Sequence, residues 1–312
     1  MSEKRIHIVG DLHEVAIQKF TSAGYDVSHS PNYDEKKLLS LASDAAVIIM
    51  TDMAFDKNWF DALPNLKLIA RRGVGYDNIP VESATKHGVW VTNTPGANAI
   101  AVAELAVTLI LTVLRKVNQA TNSVQKGEVL TYPASLMGHN LSGKIIGLIG
   151  YGQIAQNLEK ILHGFGAHVL VYSRTKRETL YGQFVSYDTL LAQSDIISLH
   201  IPATPETSGI LNHEAFSKMK TNAILINTAR AALVDEEALV EAINTGKIAG
   251  AGLDTTSYET IKTASPLLNH DQIVITPHIG ANTVESEYLT AEKVVASVLD
   301  FFNNQKPIYR LN

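Results

Sequence analysis

Cysteine is absent from the 312-residue sequence. That absence excludes a disulfide framework, a thiolate metal site and a cysteine nucleophile together, and it suits a reducing compartment. A basic excess is missing too: 26 Lys and Arg stand against 31 Asp and Glu, a formal charge of -5. With no dense Lys/Arg run interleaved with aromatics, there is no field for gathering phosphate backbones, and nucleic acid is not an expected partner. No apolar stretch is long enough to span a bilayer, and Met1-Ser2-Glu3-Lys4-Arg5 runs straight into a strand-like segment without a signal-like region. The expectation is a cytoplasmic chain that does not contact membranes and holds no metal. Low-complexity tracts and sequence-level repeats are also lacking.

What is present is a large apolar fraction, 46% of residues, enough for a sizeable core and for two domains at this length. Short Val/Ile-rich runs recur, bounded by Gly, Asp, Asn or Pro and separated by helix-like stretches, the alternation of a parallel sheet covered on both faces. A first group comprises Ile6-His7-Ile8-Val9, Ala46-Val47-Ile48-Ile49, Leu68-Ile69-Ala70 and Val89-Trp90-Val91-Thr92. Residues 99 to 117 contain no Gly or Pro and predict one long, largely buried helix. A second group of six strands begins at Lys144-Ile145-Ile146-Gly147-Leu148-Ile149 and ends at Ile273-Val274-Ile275-Thr276, the count of a doubly wound nucleotide-binding sheet. A final helix is predicted over roughly 284 to 300.

The second group opens on Gly150-Tyr151-Gly152-Gln153-Ile154-Ala155, placed where a strand turns into a helix. Gly150 permits the tight turn, Gly152 lets a pyrophosphate approach the backbone, and Ala155 is the small residue where helix and strand pack closely. The helix N-terminus offers free N–H groups to the phosphates. An NAD site usually places an Asp or Glu about 20 residues further on, to hold the ribose 2′-hydroxyl. Here the second strand ends Tyr172-Ser173-Arg174-Thr175-Lys176-Arg177, with no acid at its tip. A guanidinium beside a hydroxyl suits a 2′-phosphate, so NADP(H) is the preferred cofactor and NAD(H) the second choice.

Three ionisable residues in the second half are candidates for chemistry: Arg230, Glu259 five residues after Asp254, and His278. Arg230 and His278 fall where strands end, the edge at which doubly wound sheets bind ligands. A His donates a proton to a carbonyl oxygen near neutral pH, a carboxylate beside it favours the imidazolium, and an Arg clamps a carboxylate through two parallel hydrogen bonds.

Motifs spread along nearly the whole chain add to this reading: Gly73-Val74-Gly75-Tyr76-Asp77-Asn78-Ile79, Asn93-Thr94-Pro95-Gly96-Ala97-Asn98, Ala101-Val102-Ala103-Glu104, Leu141-Ser142-Gly143-Lys144, Ser198-Leu199-His200-Ile201-Pro202, Thr204-Pro205-Glu206-Thr207, Asn227-Thr228-Ala229-Arg230, Leu233-Val234-Asp235-Glu236 and Thr276-Pro277-His278-Ile279-Gly280. With them the sequence resembles the D-isomer-specific 2-hydroxyacid dehydrogenases, a group that includes hydroxypyruvate and glyoxylate reductases. The resemblance implies an α/β chain in which a doubly wound Rossmann cofactor domain, 99–283, is inserted into a flavodoxin-like substrate domain built from 1–98 and 284–312. It implies reduction of small 2-keto acids to D-2-hydroxy acids and the reverse, a homodimer, and an active-site cleft between the domains.

By the same resemblance Arg230 is the substrate-binding and catalytic arginine, His278 the acid/base and Glu259 its partner, while Asp254 lies near the nicotinamide carboxamide. Val74 and Gly75 offer backbone N–H groups to the substrate carboxylate, with Met53 beside the substrate. Cofactor contacts are implied at Val102, Gly150, Gly152, Gln153 and Ile154, at Ser173, Arg174 and Thr175, and at His200, Ile201, Pro202 and Thr207. Thr228, Ala229, Arg230, Asp254, His278 and Gly280 complete that set. The family's Asp-Val-Phe-Glu-x-Glu-Pro reads Asp254-Thr255-Thr256-Ser257-Tyr258-Glu259-Thr260 here, losing the Phe and the Pro, and Ala231 follows the arginine where Gly is usual. Met53 and Phe55, with no Arg or Lys before Lys57, argue against a phosphorylated substrate, although Arg71 and Arg72 follow. A co-repressor that senses nicotinamide cofactors shares this fold and is the rival reading. Formate dehydrogenase is disfavoured, because that group places Gln where Glu259 stands.

Overall fold

A computed structural model describes residues 4–30, 35–51, 53–128, 131, 133–257 and 265–312. The chain divides into two compact units, Met1–Asn98 with Asn282–Asn312, and Ala99–Ala281.

The first unit runs β1 (Arg5–Val9), α1 (Glu14–Ser22), β2 (Asp26–Ser30), α2 (Glu35–Ala42), β3 (Val47–Met50), α3 (Trp59–Ala62), β4 (Leu68–Arg71), α4 (Val81–Lys86) and β5 (Trp90–Thr92). All pairings are parallel, in the flavodoxin-like order β2-β1-β3-β4-β5. Alternate residues of the central strands point to opposite faces. Ile6, Ile8, Val47 and Ile49 join one apolar cluster, and Val9, Ile48 and Met50 join the other. The first cluster is closed by the unit's last helix (Val284–Asn304), which buries Ala291, Val294, Val295, Val298 and Phe301 against β1, β3 and α1.

Four strands are legible in this half of the sequence, and the described residues form five. The additional one, β2, reads Asp-Val-Ser-His-Ser and lies at the sheet edge, where no apolar run is required. Its serines have a specific partner. The ring of fully buried His7 bonds to Ser28 Oγ at 2.8 Å and to Ser30 Oγ at 3.1 Å.

The second unit begins with α5 (Ala99–Leu114) and α6 (Val117–Gln125). It continues through β6 (Ile145–Ile149), α7 (Gln153–Gly164), β7 (His168–Tyr172), β8 (Gln183–Phe184), α8 (Tyr187–Gln193) and β9 (Ile196–Leu199). Then follow α9 (His213–Lys218), β10 (Ala223–Asn227), α10 (Glu236–Asn244), β11 (Ile248–Leu253) and β12 (Ile273–Ile275). The final helix of the first unit is accordingly α11. The sheet is parallel throughout, in the order β12-β11-β10-β9-β6-β7-β8. Strand order reverses between β6 and β9, and ligands of such sheets bind outside the strand ends at that crevice. Ile146 and Leu148 pack toward α5 and α7, while Ile149 faces the cluster on the other side, so both faces are covered.

In the second unit two details differ from the sequence expectation. The single helix over 99–117 ends at Leu114, because Lys116 takes a left-handed φ of 53°, and α6 starts at Val117. A seventh strand, β8, adds two residues at the β7 edge and is too short to show a pattern. Among the described residues no helix is long and apolar enough to cross a membrane, and no cluster of His, Asp or Glu could hold a metal ion.

Burial, and secondarily the charges of Arg5 and His29, lower the His7 pKa to about 4. An unfolded His binds its proton near pH 6.5, so the unfolded chain gains protons first as pH falls. Stability contributed by neutral His7 is therefore complete above about pH 6.5 and declines toward pH 4, by up to about 3 kcal/mol. Urea midpoints measured from pH 7 to pH 4 should fall less steeply in His7→Asn than in the unsubstituted chain, and equal slopes would contradict this.

Candidate active site

The site is built from strand ends of the second unit. At the exit of β6, the Gly150 N–H donates to the Tyr172 carbonyl at 2.7 Å and the backbone takes a φ of 97°. A Cβ at Gly150 would lie 2.4 Å from the His200 carbonyl oxygen and 2.7 Å from Ile201 Cγ2, so only glycine allows this passage. Gly152 is the N-cap of α7 and brings no capping side chain. A Cβ there would meet nothing within 4 Å, which leaves open space before the first amides of the helix, at Gln153 and Ile154. Ala155 is fully buried behind the turn.

Beyond β9, the His200 ring lies 2.9 Å from Ser198 Oγ, and desolvation lowers its pKa to about 4, so it is neutral near pH 7. The following loop is closed by Thr207, whose hydroxyl donates to the Pro202 carbonyl and accepts from the Thr204 N–H, both at 2.8 Å.

Arg230 follows β10 on a turn held by buried Asn227. The Asn227 side chain accepts from Ala229 N–H at 3.0 Å and donates to the Arg230 carbonyl at 2.8 Å. One Arg230 guanidinium N–H donates to the Ala229 carbonyl at 2.7 Å. Thr228 has a buried hydroxyl with no partner among the described residues, a polar atom that a ligand would satisfy.

Asp254, at the end of β11, is 1% exposed. Its Oδ1 accepts the Thr276 hydroxyl at 2.6 Å and Ile279 N–H at 2.9 Å, and its Oδ2 accepts Gly280 N–H at 2.8 Å. These bonds brace the residue between them. His278 is exposed and left-handed, with a φ of 58°, a backbone state costing about 1–3 kcal/mol outside glycine. A Cβ on Gly280 would lie 2.9 Å from Asp254 Oδ2 and 3.4 Å from Val102 Cγ2, which places Val102 of α5 at the same corner. The Asp254 N–H also donates to the Asn227 carbonyl at 2.9 Å, so the Arg230 turn and the His278 loop are tied together.

The loop after β7 carries Ser173, whose hydroxyl donates to the Thr175 carbonyl at 2.6 Å, and exposed Arg174. Glu206 qualifies the expectation of a site free of acid. Its carboxyl is held below the usual range by the Thr204 hydroxyl, by its own amide and, secondarily, by the charge of Arg174. Glu259 lies outside the described residues.

In the first unit, Met53 is half-buried against the core and Phe55 is a core residue, in edge contact with Trp59. Asn78 donates to the Met53 carbonyl at 2.8 Å and accepts from Arg71 Nε at 3.2 Å. Val74 is tied through its carbonyl to the Asn93 amide at 2.8 Å, and Gly75 follows it in the same half-buried turn. Asn227 and Asn78 fall within motifs of the sequence that assign them no role of their own. The signal available for Asn227 was a polar residue closing a wholly apolar strand.

The D-isomer specific 2-hydroxyacid dehydrogenase, NAD binding domain, matches residues 107–280. The chain belongs to the D-isomer specific 2-hydroxyacid dehydrogenases. The dehydrogenase is 42% identical over 273 residues to a glyoxylate reductase of Thermococcus litoralis, covering 85% of this chain and 82% of that one. It is 38% identical over 302 residues to a hydroxypyruvate reductase of Thermotoga maritima, covering 96% and 98%. Among solved structures, the TT0316 protein from Thermus thermophilus superposes with a TM-score of 0.92 at 36% identity, covering 99% of this chain and 100% of that one. A nicotinamide dinucleotide fits the residues present: open space at Gly152, an uncapped helix start, and the unpartnered Thr228 hydroxyl.

Replacing Asp254 by Asn sets an amide N–H against one of the donors it now accepts. Losing one charge-assisted bond at about 1.5–3 kcal/mol should lower kcat roughly 10- to 100-fold. Steady-state kinetics check this, and a kcat within about twofold of the unsubstituted enzyme would contradict it.

Proposed function

We propose that this dehydrogenase reduces small, unphosphorylated 2-keto acids, glyoxylate and hydroxypyruvate foremost, to D-2-hydroxy acids, with NADPH preferred over NADH. The observation that carries the reading is the tie between the Arg230 turn and the His278 loop through Asn227 and Asp254 at the carboxyl edge of the sheet. The names of the relatives support the substrate class.

When bound, the cofactor supplies a hydride for the keto carbon. Arg230 binds the substrate carboxylate and polarises the carbonyl, and the amides of Val74 and Gly75 are assigned to the same carboxylate. His278 donates the proton to the developing alkoxide and takes it back in the oxidative direction. Glu259 is assigned as the partner of His278 on its five-residue offset from Asp254. A phosphorylated substrate is disfavoured because the nearby arginines are engaged. Arg71 bonds to Asn78 and to the Arg72 carbonyl, and Arg72 pairs with Glu287.

The NADPH preference rests on Ser173, Arg174 and Thr175 at the tip of β7, a strand that ends without the acid that would hold a ribose hydroxyl, although the Glu206 carboxyl is near enough to feel the charge of Arg174. A homodimer through the second unit is part of the proposal, supported by apolar side chains left exposed there at Ile100, Val117, Val124 and Met137.

Oxidation of NADPH and NADH should be followed with glyoxylate, hydroxypyruvate, pyruvate, phenylpyruvate and branched 2-keto acids. The expected kcat/KM favours NADPH by about tenfold or more, and Arg174→Ala removes most of that preference by acting on NADPH. His278→Gln should lower kcat by roughly 10²–10⁴. Equal or better constants with NADH overturn the cofactor preference. Cofactor binding without turnover of any acid would replace this reading with the co-repressor one.

A further inference from the structure

Tyr151, the residue between the two fingerprint glycines, points away from the open side of the turn. Its side chain is buried, and its hydroxyl donates to Glu159 of α7, itself 0% exposed. This carboxylate pairs with no Lys or Arg among the described residues. It is held instead by consecutive backbone donors: Leu180 N–H at 3.3 Å, Tyr181 N–H at 2.9 Å and Gly182 N–H at 2.6 Å. The Leu180 N–H also lies 3.2 Å from the Tyr151 hydroxyl. Such a run of amides is an anion-binding nest, here filled by the protein's own carboxylate.

The nest closes the loop that begins with Ser173, Arg174 and Thr175. That loop leaves β7 at Tyr172, which pairs with Ile149 of β6, and it re-enters the sheet at Gln183. Its returning limb makes two further contacts and runs close against β7. Thr179 Oγ1 donates to the Gly182 carbonyl at 2.6 Å, the Tyr181 ring stacks on His163 at 3.8 Å, and a Cβ on Gly182 would lie 2.8 Å from the Val169 carbonyl oxygen. The segment 173–179 is thereby stretched between two fixed ends. One of them is bonded to the glycine turn that faces the pyrophosphate.

We propose that Tyr151 and Glu159 are positioning residues that fix the 173–179 segment relative to the glycine turn, and thereby set selectivity for a 2′-phosphorylated adenosine. The inference rests on the NADPH reading of Ser173, Arg174 and Thr175. Neither side chain touches the cofactor. Each acts through the loop.

The test uses 2′,5′-ADP and 5′-AMP as competitive inhibitors against NADPH in the intact enzyme, its Glu159→Gln and Tyr151→Phe variants, and Arg174→Ala. Glu159→Gln keeps the shape but turns one acceptor into a donor facing the nest. It should weaken 2′,5′-ADP about tenfold and 5′-AMP by less than about threefold, with Tyr151→Phe shifting the same ratio by about threefold. A purely structural role would move both inhibitors together, and an unchanged ratio in both variants overturns the inference. If Glu159→Gln does not fold, the Tyr151→Phe ratio decides alone. An unsubstituted enzyme that does not distinguish the two inhibitors overturns the NADPH reading and the inference together. Discrimination lost in Arg174→Ala but kept in both positioning variants overturns the inference alone.

Discussion

The cofactor unit depends on one close backbone passage, where the chain leaving β6 crosses the carbonyl of His200 at Gly150. Because β6 and β9 are the neighbours at which strand order reverses, their ends must meet there, and no Cβ fits between them. The left-handed turn that results aims the start of α7 into open space and turns the Tyr151 side chain inward. The same passage holds the His200 loop. Its ring, bonded to Ser198 and kept neutral by desolvation, brings no positive charge to the crevice near neutral pH.

The backbone that carries the groups assigned to chemistry is held by two buried polar side chains, Asn227 and Asp254. His278 is exposed and sits in a costly backbone conformation, while the three bonds of Asp254 hold the residues on either side of it. Arg230 leaves a turn whose shape is dictated by Asn227. Charge-assisted bonds in buried surroundings are strong enough to offset strain of about 1–3 kcal/mol. The side chains proposed to react thus stand on a fixed backbone, which is the arrangement pre-organised catalysis requires.

Much of this was legible because the doubly wound sheet leaves regular marks. Strands covered on both faces read as Val/Ile runs, and the fingerprint glycines stand where steric limits require them. The edge strands were not legible. Asp26–Ser30 is polar because its serines serve a buried His7, and Gln183–Phe184 is too short for periodicity. The break at Lys116 has no Gly or Pro to announce it. Phe55 reads equally as a site residue or as core, and only packing with Trp59 and Phe60 decides for core. Glu206 lies far from Arg174 in sequence, and the fold alone brings its carboxyl within reach of that charge. The nest around Glu159 is equally long-range, since helix periodicity marks that position only as an inward one.

The central claim is direct hydride transfer from a bound dihydronicotinamide to the keto carbon of a small 2-keto acid. It is tested most directly by supplying hydroxypyruvate with NADPH deuterated at C4, each diastereomer separately, and analysing the glycerate formed. The account predicts deuterium at C2 of D-glycerate from one diastereomer only. Glycerate free of deuterium from both, or labelled equally by both, would contradict it.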